Sequence, residues 1–157
     1  MKKTQPMRVE FDTLPGHQIR RLHQIAVAIF LQESDAHGLT PVQYAAMQAV
    51  ANAPGSDQRT LASTVGFDTS TIGGVIDRLE ARGLIVRGAS PNDRRVRLLT
   101  LTAAGRALLE AAVPAMLQAQ ERILHPLPKK DRAEFMRMLQ VLVAANNELS
   151  RAPSDAS

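Results

Sequence analysis

Four arginines and a single acid lie between Arg87 and Arg97, and three of the arginines, Arg94, Arg95 and Arg97, crowd one turn and the segment after it. A guanidinium is a planar fork that matches phosphate oxygens, and its weak hydration suits a narrow minor groove. The cluster therefore reads as a tip for binding a polyanion. Asp93 either orients Arg95 through a charge-assisted hydrogen bond or simply closes the turn. Upstream, Asp68-Thr69-Ser70-Thr71 sets short hydroxyls at a helix start. Such hydroxyls bond phosphates or base edges, and the free N–H groups and positive dipole end of the helix favour phosphate. Beside an N-cap they can equally do no more than satisfy backbone donors.

Other chemistry finds little support. His17, His23, His37 and His125 have no metal-ligand spacing, and there is no Gly-rich phosphate loop or nucleophile elbow. No cofactor and no catalytic step are expected. The absence of Cys excludes disulfides, thiolate metal sites and thiol redox sensing. Aromatic residues are 3% of the chain, with Tyr44 the single Tyr and no Trp, which counts against stacking platforms for single strands. The N-terminus lacks a secretory pattern and no apolar run could span a membrane, so a soluble cytoplasmic protein is expected. The net charge of +4, with Arg far outnumbering Lys, favours a polyanionic partner.

Positioning these residues requires a sequence of short elements. The 157 residues, 45% apolar, suit one compact unit with helical extensions. Residues 1–13 read as a flexible arm. Ile19, Leu22, Ala26, Ile29 and Phe30 recur at helical spacing and predict a first helix over 16–34, in a dimerisation segment 14–38. Thr40-Pro41 opens a second helix to about 52, with Val42, Ala45, Ala46, Ala49 and Val50 inward. Asp57 caps a short third helix over 58–65, and Asp68 a fourth over 69–82 whose buried stripe is Ile72, Val75, Ile76 and Leu79. Gly83 ends it. Residues 84–87 and 96–101 read as strands of a β-hairpin with the arginines at its tip. A fifth helix over 103–124 carries Pro114, where a kink is expected. A sixth runs over 129–150, and 152–157 form a polar tail. The fold class is mainly α with a small hairpin: a winged helix-turn-helix over 39–101, followed by dimerisation helices over 102–151. Apolar stripes beyond the needs of so small a module predict a homodimer.

Three segments carry a family resemblance: "LTPVQYAAMQAV", "RTLASTVGFDTSTIGGVIDRLEARGLI" and "SPNDRRVRLLTLTAAG". Residues 39–105 resemble the MarR (multiple-antibiotic-resistance regulator) family of winged helix-turn-helix regulators, with weaker similarity over about 16–150. The resemblance implies an obligate dimer that binds palindromic operators in double-stranded DNA, most often as a repressor. It puts the DNA-binding residues at Arg59, Thr60, Thr69, Ser70, Thr71, Arg94, Arg95 and Arg97. One departure stands out: Gly73-Gly74 occupies positions where many members carry Thr and Arg. Two glycines inside a helix cost about 1 kcal/mol each relative to Ala. Either the backbone approaches the duplex closely there, or reading relies more on Ser70, Thr71 and the wing.

The segment "LPGHQIRRLHQIAVAIF" resembles family members that govern aromatic-acid degradation. That likeness implies a small aromatic acid as effector, with His17, Arg20, Arg21, Tyr44 and Met47 as ligand-binding residues. An Arg fork could grip the carboxylate, Tyr44 could bond a ring hydroxyl and Met47 could supply an adaptable wall. The alternative is that the arginines are solvated or ion-paired. A regulator without a ligand, an activator, or a helical protein-interaction module are the competing functions.

Overall fold

The computed structural model describes residues 9–150 and 152–153. Residues 1–8, most of the expected arm, and most of the expected tail lie outside them. At the described end of the arm Phe11–Thr13 form a 3-10 turn, and Gln18 donates to the Asp12 carbonyl at 2.8 Å. Helix α1 spans Pro15–Ser34, α2 Pro41–Asn52, α3 Gln58–Val65, α4 Thr69–Ala81, α5 Ala103–Leu124 and α6 Lys129–Ala145. Strands β1 (Ser56–Asp57), β2 (Ile85–Ala89) and β3 (Arg97–Leu101) form an antiparallel sheet in the order β1-β3-β2.

Local chemistry sets most of these boundaries. Thr40 and Gln43 form a reciprocal capping box at the start of α2, with Pro41 in the first turn. Asp57 accepts the Thr60 N–H at 2.7 Å, and Asp68 the Thr71 N–H at 2.8 Å. Helix α4 ends where Gly83 takes φ +70° and the Leu84 N–H returns to the Leu79 carbonyl at 3.0 Å.

Two expectations need correction. The sixth helix stops at Ala145, and Asn147–Leu149 form a separate 3-10 turn. There the Asn146 amide donates to the Leu142 carbonyl at 2.8 Å, a side-chain bond that competes with continued helix. The hairpin is longer on its first side, with Gly88 opposite Leu98 and Ala89 opposite Arg97, and it gains β1, whose Ser56 pairs with Leu99.

The core lies beneath α4 and between α2 and the sheet. Met47, Val50, Leu61, Ile72, Ile76, Leu79, Ile85 and Leu99 are its fully buried large side chains. Helix α5 returns from the wing and packs along α1, where Arg122 grips Glu33 and Gln32 at 2.5 and 3.0 Å. Helix α6 buries none of its residues: Met138, Val141, Leu142 and Val143 stand in solvent, as do Ile19 and Ile25 on α1. Apolar exposure on this scale marks a surface built to be covered by protein.

Candidate functional site

The short α3, the turn Gly66-Phe67-Asp68 and α4 make a helix-turn-helix, and the β2–β3 hairpin stands beside it. Ile72, Val75, Ile76 and Leu79 hold α4 against the core. Rotation by 100° per residue then turns Ser70, Gly74 and Arg78 outward on successive turns. Thr69 and Ser70 are exposed in the first turn. Thr71 is exposed too, but its hydroxyl donates to Asp68 at 2.6 Å, so it works mainly in the cap. Thr60 is likewise engaged with Asp57 through both its backbone and its side chain, while Arg59 is exposed beside it. Those bonds hold the Asp57 carboxyl below the usual carboxylate range, with the backbone N–H of Thr60 the largest cause and Arg59 a smaller one.

At the wing, Arg94, Arg95 and Arg97 are all exposed. Asp93 accepts the backbone N–H of Arg95 at 2.9 Å, which settles its role as a turn residue. The fourth arginine of the cluster behaves differently. Arg87 reaches back to α4, donating to Asp77 at 2.6 Å and Glu80 at 3.5 Å. It ties the wing to the recognition helix instead of joining the exposed cations.

The glycine pair divides into two cases. A Cβ on Gly73 would stand 2.9 Å from the amide nitrogen of Gln58, which crosses α4 there and donates to the Thr69 carbonyl at 3.0 Å. A Cβ on Gly74 would meet no protein atom within 4 Å. Packing between α3 and α4 accounts for the first glycine and not the second.

The expected effector residues are not gathered in one place within the protomer. His17, Arg20 and Arg21 sit at the amino end of α1. The His17 imidazole pairs with Arg20 at 3.2 Å, and Asp12 lies 3.8 Å from His17 and 3.9 Å from Arg21. Met47 is fully buried in the core, because α2 turns its Ala46, Met47 and Val50 side toward the sheet and α4. Tyr44 alone of the five lines a cavity of about 450 Å³, walled by Phe30 of α1, Gln48 and Asn52 of α2, Thr64 of α3, and Met116 and Gln120 of α5. Phe30 and Tyr44 meet edge to face at 5.9 Å. The Tyr44 hydroxyl donates to Gln48 at 3.2 Å, and Gln48 donates to Asn52 at 3.0 Å. Burial raises the Tyr44 phenol above its ordinary pKa, so it remains a donor. Sequence reasoning missed Gln48, Asn52 and Gln120. Their common wall comes from three-dimensional packing and leaves no motif. Among the described residues, no cluster of His, Cys, Asp and Glu could hold a metal, and no helix is long and apolar enough to cross a membrane.

Capped helices at a right-sized turn, an exposed hydroxyl-bearing helix start and an arginine-tipped hairpin define a winged helix-turn-helix DNA-binding protein. Residues 37–96 match the MarR family. The chain is 32% identical to the HTH-type transcriptional repressor NicR of Pseudomonas putida over 149 residues, covering 90% of this chain and 94% of that one. It belongs to the MarR family and is a transcription regulator. Among solved structures, BpsR of Bordetella bronchiseptica, whose DNA binding is regulated by 6-hydroxynicotinic acid, superposes with a TM-score of 0.82 at 32% identity, over 87% of this chain and 97% of that one. A transcriptional repressor, CouR, solved on a 23-mer DNA duplex, gives 0.81 at 30% identity, over 89% of this chain and 99% of that one.

Proposed function

We propose that this protein is a homodimeric repressor of aromatic-compound catabolic genes, released from a palindromic operator by a small aromatic carboxylic acid of the benzoate, hydroxybenzoate or hydroxynicotinate type. The observation that carries the reading is the cavity beside Tyr44. It lies where α1 and α5 meet α2 and α3, so an occupant touches both α1, which carries part of the exposed apolar face, and the helices that position the DNA reader. Its volume suits a single-ring ligand, and its wall mixes apolar surface with a few amides and one phenol. The 6-hydroxynicotinic acid that regulates DNA binding by BpsR supports the ligand class.

DNA binding is assigned to Arg59, Thr60, Thr69, Ser70, Thr71, Arg94, Arg95 and Arg97, with Ser70 and the wing arginines leading. None of the residues lining the cavity is cationic. We assign the acid's carboxylate to the basic amino end of α1, with His17, Arg20 and Arg21, brought to the cavity mouth by a second copy. Tyr44 would bond a ring substituent, and Met47 would back the wall from within the core. The exposed apolar faces of α1 and α6 form the dimer contact. No catalytic step is assigned, and the protein acts in the cytoplasm, where a bacterial regulator meets its operator.

Two copies present two recognition helices, which fit successive major grooves when they stand about 34 Å apart. An acid that binds better to a dimer of different spacing lowers operator affinity by that difference in binding free energy. A coupling of about 1–3 kcal/mol corresponds to roughly 5- to 150-fold. The test is fluorescence anisotropy on the duplex upstream of the protein's own gene, titrated with benzoate, hydroxybenzoates and 6-hydroxynicotinate. At least one acid should weaken binding within that range. If every acid leaves the curve unmoved, the effector reading fails while the DNA reading stands.

A further inference from the structure

We infer that Gly74 is a specificity-determining residue of the DNA interface: where many family members carry Arg, this chain presents bare α4 backbone, which packs closer against the major-groove face of its own operator than any side chain there would allow. The inference rests on the DNA-reading role of α4 and goes beyond it by naming how one position reads.

The two glycines differ in what each does for the protein itself. A glycine inside a helix lowers helix stability relative to alanine, because it loses more backbone freedom on ordering and offers no side chain to pack. Gly73 has an internal reason: its missing Cβ makes room for the Gln58 amide, which pins α3 across α4 at the Thr69 carbonyl. Gly74 has none. A Cβ there meets no atom within 4 Å, its φ is not left-handed, and it lies mid-helix, away from either cap. The protein would be more stable with alanine at this site.

Gly74 also faces the right way. Ile72, Val75, Ile76 and Leu79 fix which side of α4 is inward, and Gly74 falls on the opposite side, one turn beyond Ser70 and one turn before Arg78. Arg78 and Asp77 on the following turn are exposed. Close approach of backbone to a partner is what the absence of Cβ permits, and the partner on this face is the duplex. The hydroxyl of Ser70 and the wing arginines are then drawn in with the helix, so a methyl at Gly74 would lift them together. The apolar Cα surface discriminates by shape, favouring base steps whose groove edge leaves room for it.

The test separates stability from recognition. Wild-type protein is used to select a duplex from a randomised library. Gly74→Ala and wild type are then compared on that duplex and on an unrelated one of equal length, alongside thermal unfolding. Gly74→Ala should melt a few degrees higher, by the helix-propensity gain, while its ratio of selected to unrelated affinity falls fivefold or more. A fall of less than fivefold overturns the inference. So does a lower melting temperature, which would give Gly74 a structural role inside the protein. If wild type selects no sequence at all, the site-specific reading of α4 fails, and with it this inference. That outcome is distinguishable because it appears before any variant is made.

Discussion

Arg87 of β2 donates to Asp77 of α4 at 2.6 Å, and the same guanidinium reaches Glu80 at 3.5 Å. Two carboxylates on the recognition helix would otherwise face a phosphate-rich partner uncompensated. The pairing fixes the wing against α4 and cancels that charge at once. Its contribution to folding is small, because Asp77 is 67% exposed and surface pairs contribute about 0.2–1 kcal/mol. Arg87→Ala should therefore leave the melting temperature nearly unchanged yet weaken operator binding. The salt slope of binding should stay close to wild type, since no phosphate contact is lost. A slope reduced by a full contact would mean that Arg87 touches the duplex itself.

Arg95→Ala should behave differently. Its guanidinium is free in solvent at the wing tip, held in place only through the backbone bond to Asp93. Loss of one phosphate contact from each protomer should lower affinity and reduce the slope of log K against log salt by about 1.8 for the dimer. Anisotropy titrations between low and moderate salt measure both. Unchanged affinity and slope would take the wing tip out of the interface.

The cap of α3 makes a pH prediction. Hydrogen bonds from Thr60 hold the Asp57 carboxyl below its unfolded value, with its backbone N–H the largest cause. A depressed folded pKa contributes stability that is fully present above the unfolded pKa, near about 3.9, and lost as pH falls through the lower folded value. Asp57→Asn keeps an acceptor and should flatten that part of the acid limb. Asp57→Ala should cost about 1 kcal/mol at neutral pH. Urea unfolding at pH 7 and across the range from 5 to about 2.5 separates the two variants. An acid limb of Asp57→Asn identical to wild type would refute the assignment.

Gly105 makes the strongest steric prediction. Its absent Cβ would stand 2.0 Å from the Leu84 carbonyl oxygen, which also accepts the Thr102 N–H at 3.1 Å. The Thr102 hydroxyl donates to the Gly83 carbonyl at 2.6 Å. The end of α4 and the start of α5 are thus locked together by backbone, and nothing flexible can yield. Gly105→Ala should destabilise by about 1–3 kcal/mol, as overpacked sites do, and lower the melting temperature by roughly 2–12 °C. Calorimetry checks it. A wild-type melting temperature would show that the α4–α5 junction can spread.

The effector assignment predicts a split between binding and response. Arg20 is exposed and lies outside the helix-turn-helix and the wing, so Arg20→Ala should leave operator affinity within about twofold while removing the acid's effect, because a bidentate carboxylate partner is lost. Tyr44→Phe removes the hydroxyl that meets Gln48 and keeps the ring against Phe30, so it should weaken the response to hydroxylated acids more than to benzoate. Anisotropy with each acid reads both. An undiminished response in Arg20→Ala would locate the carboxylate elsewhere.

What the chain's own order of residues determined is everything that depends on near neighbours. Thr40, Asp57, Asp68 and Thr102 cap helices in the structure because a cap bonds a backbone N–H only three residues on. The stripe Ile72-Val75-Ile76-Leu79 and the exposed wing arginines follow from periodicity and turn chemistry in the same way. Tertiary structure decided what distant segments share. The β1 strand exists only because Ser56 meets Leu99, and neither residue signals the other. Helix α2 is apolar nearly all round, so its period could not say that Met47 enters the core while Tyr44 opens on the cavity. Nothing in the sequence separates Arg87 from the free cations of the wing, and only packing brings Asp77, on another element, within bonding distance. A pattern along the chain records which way a side chain points from its own backbone. What stands in front of it depends on how the elements pack.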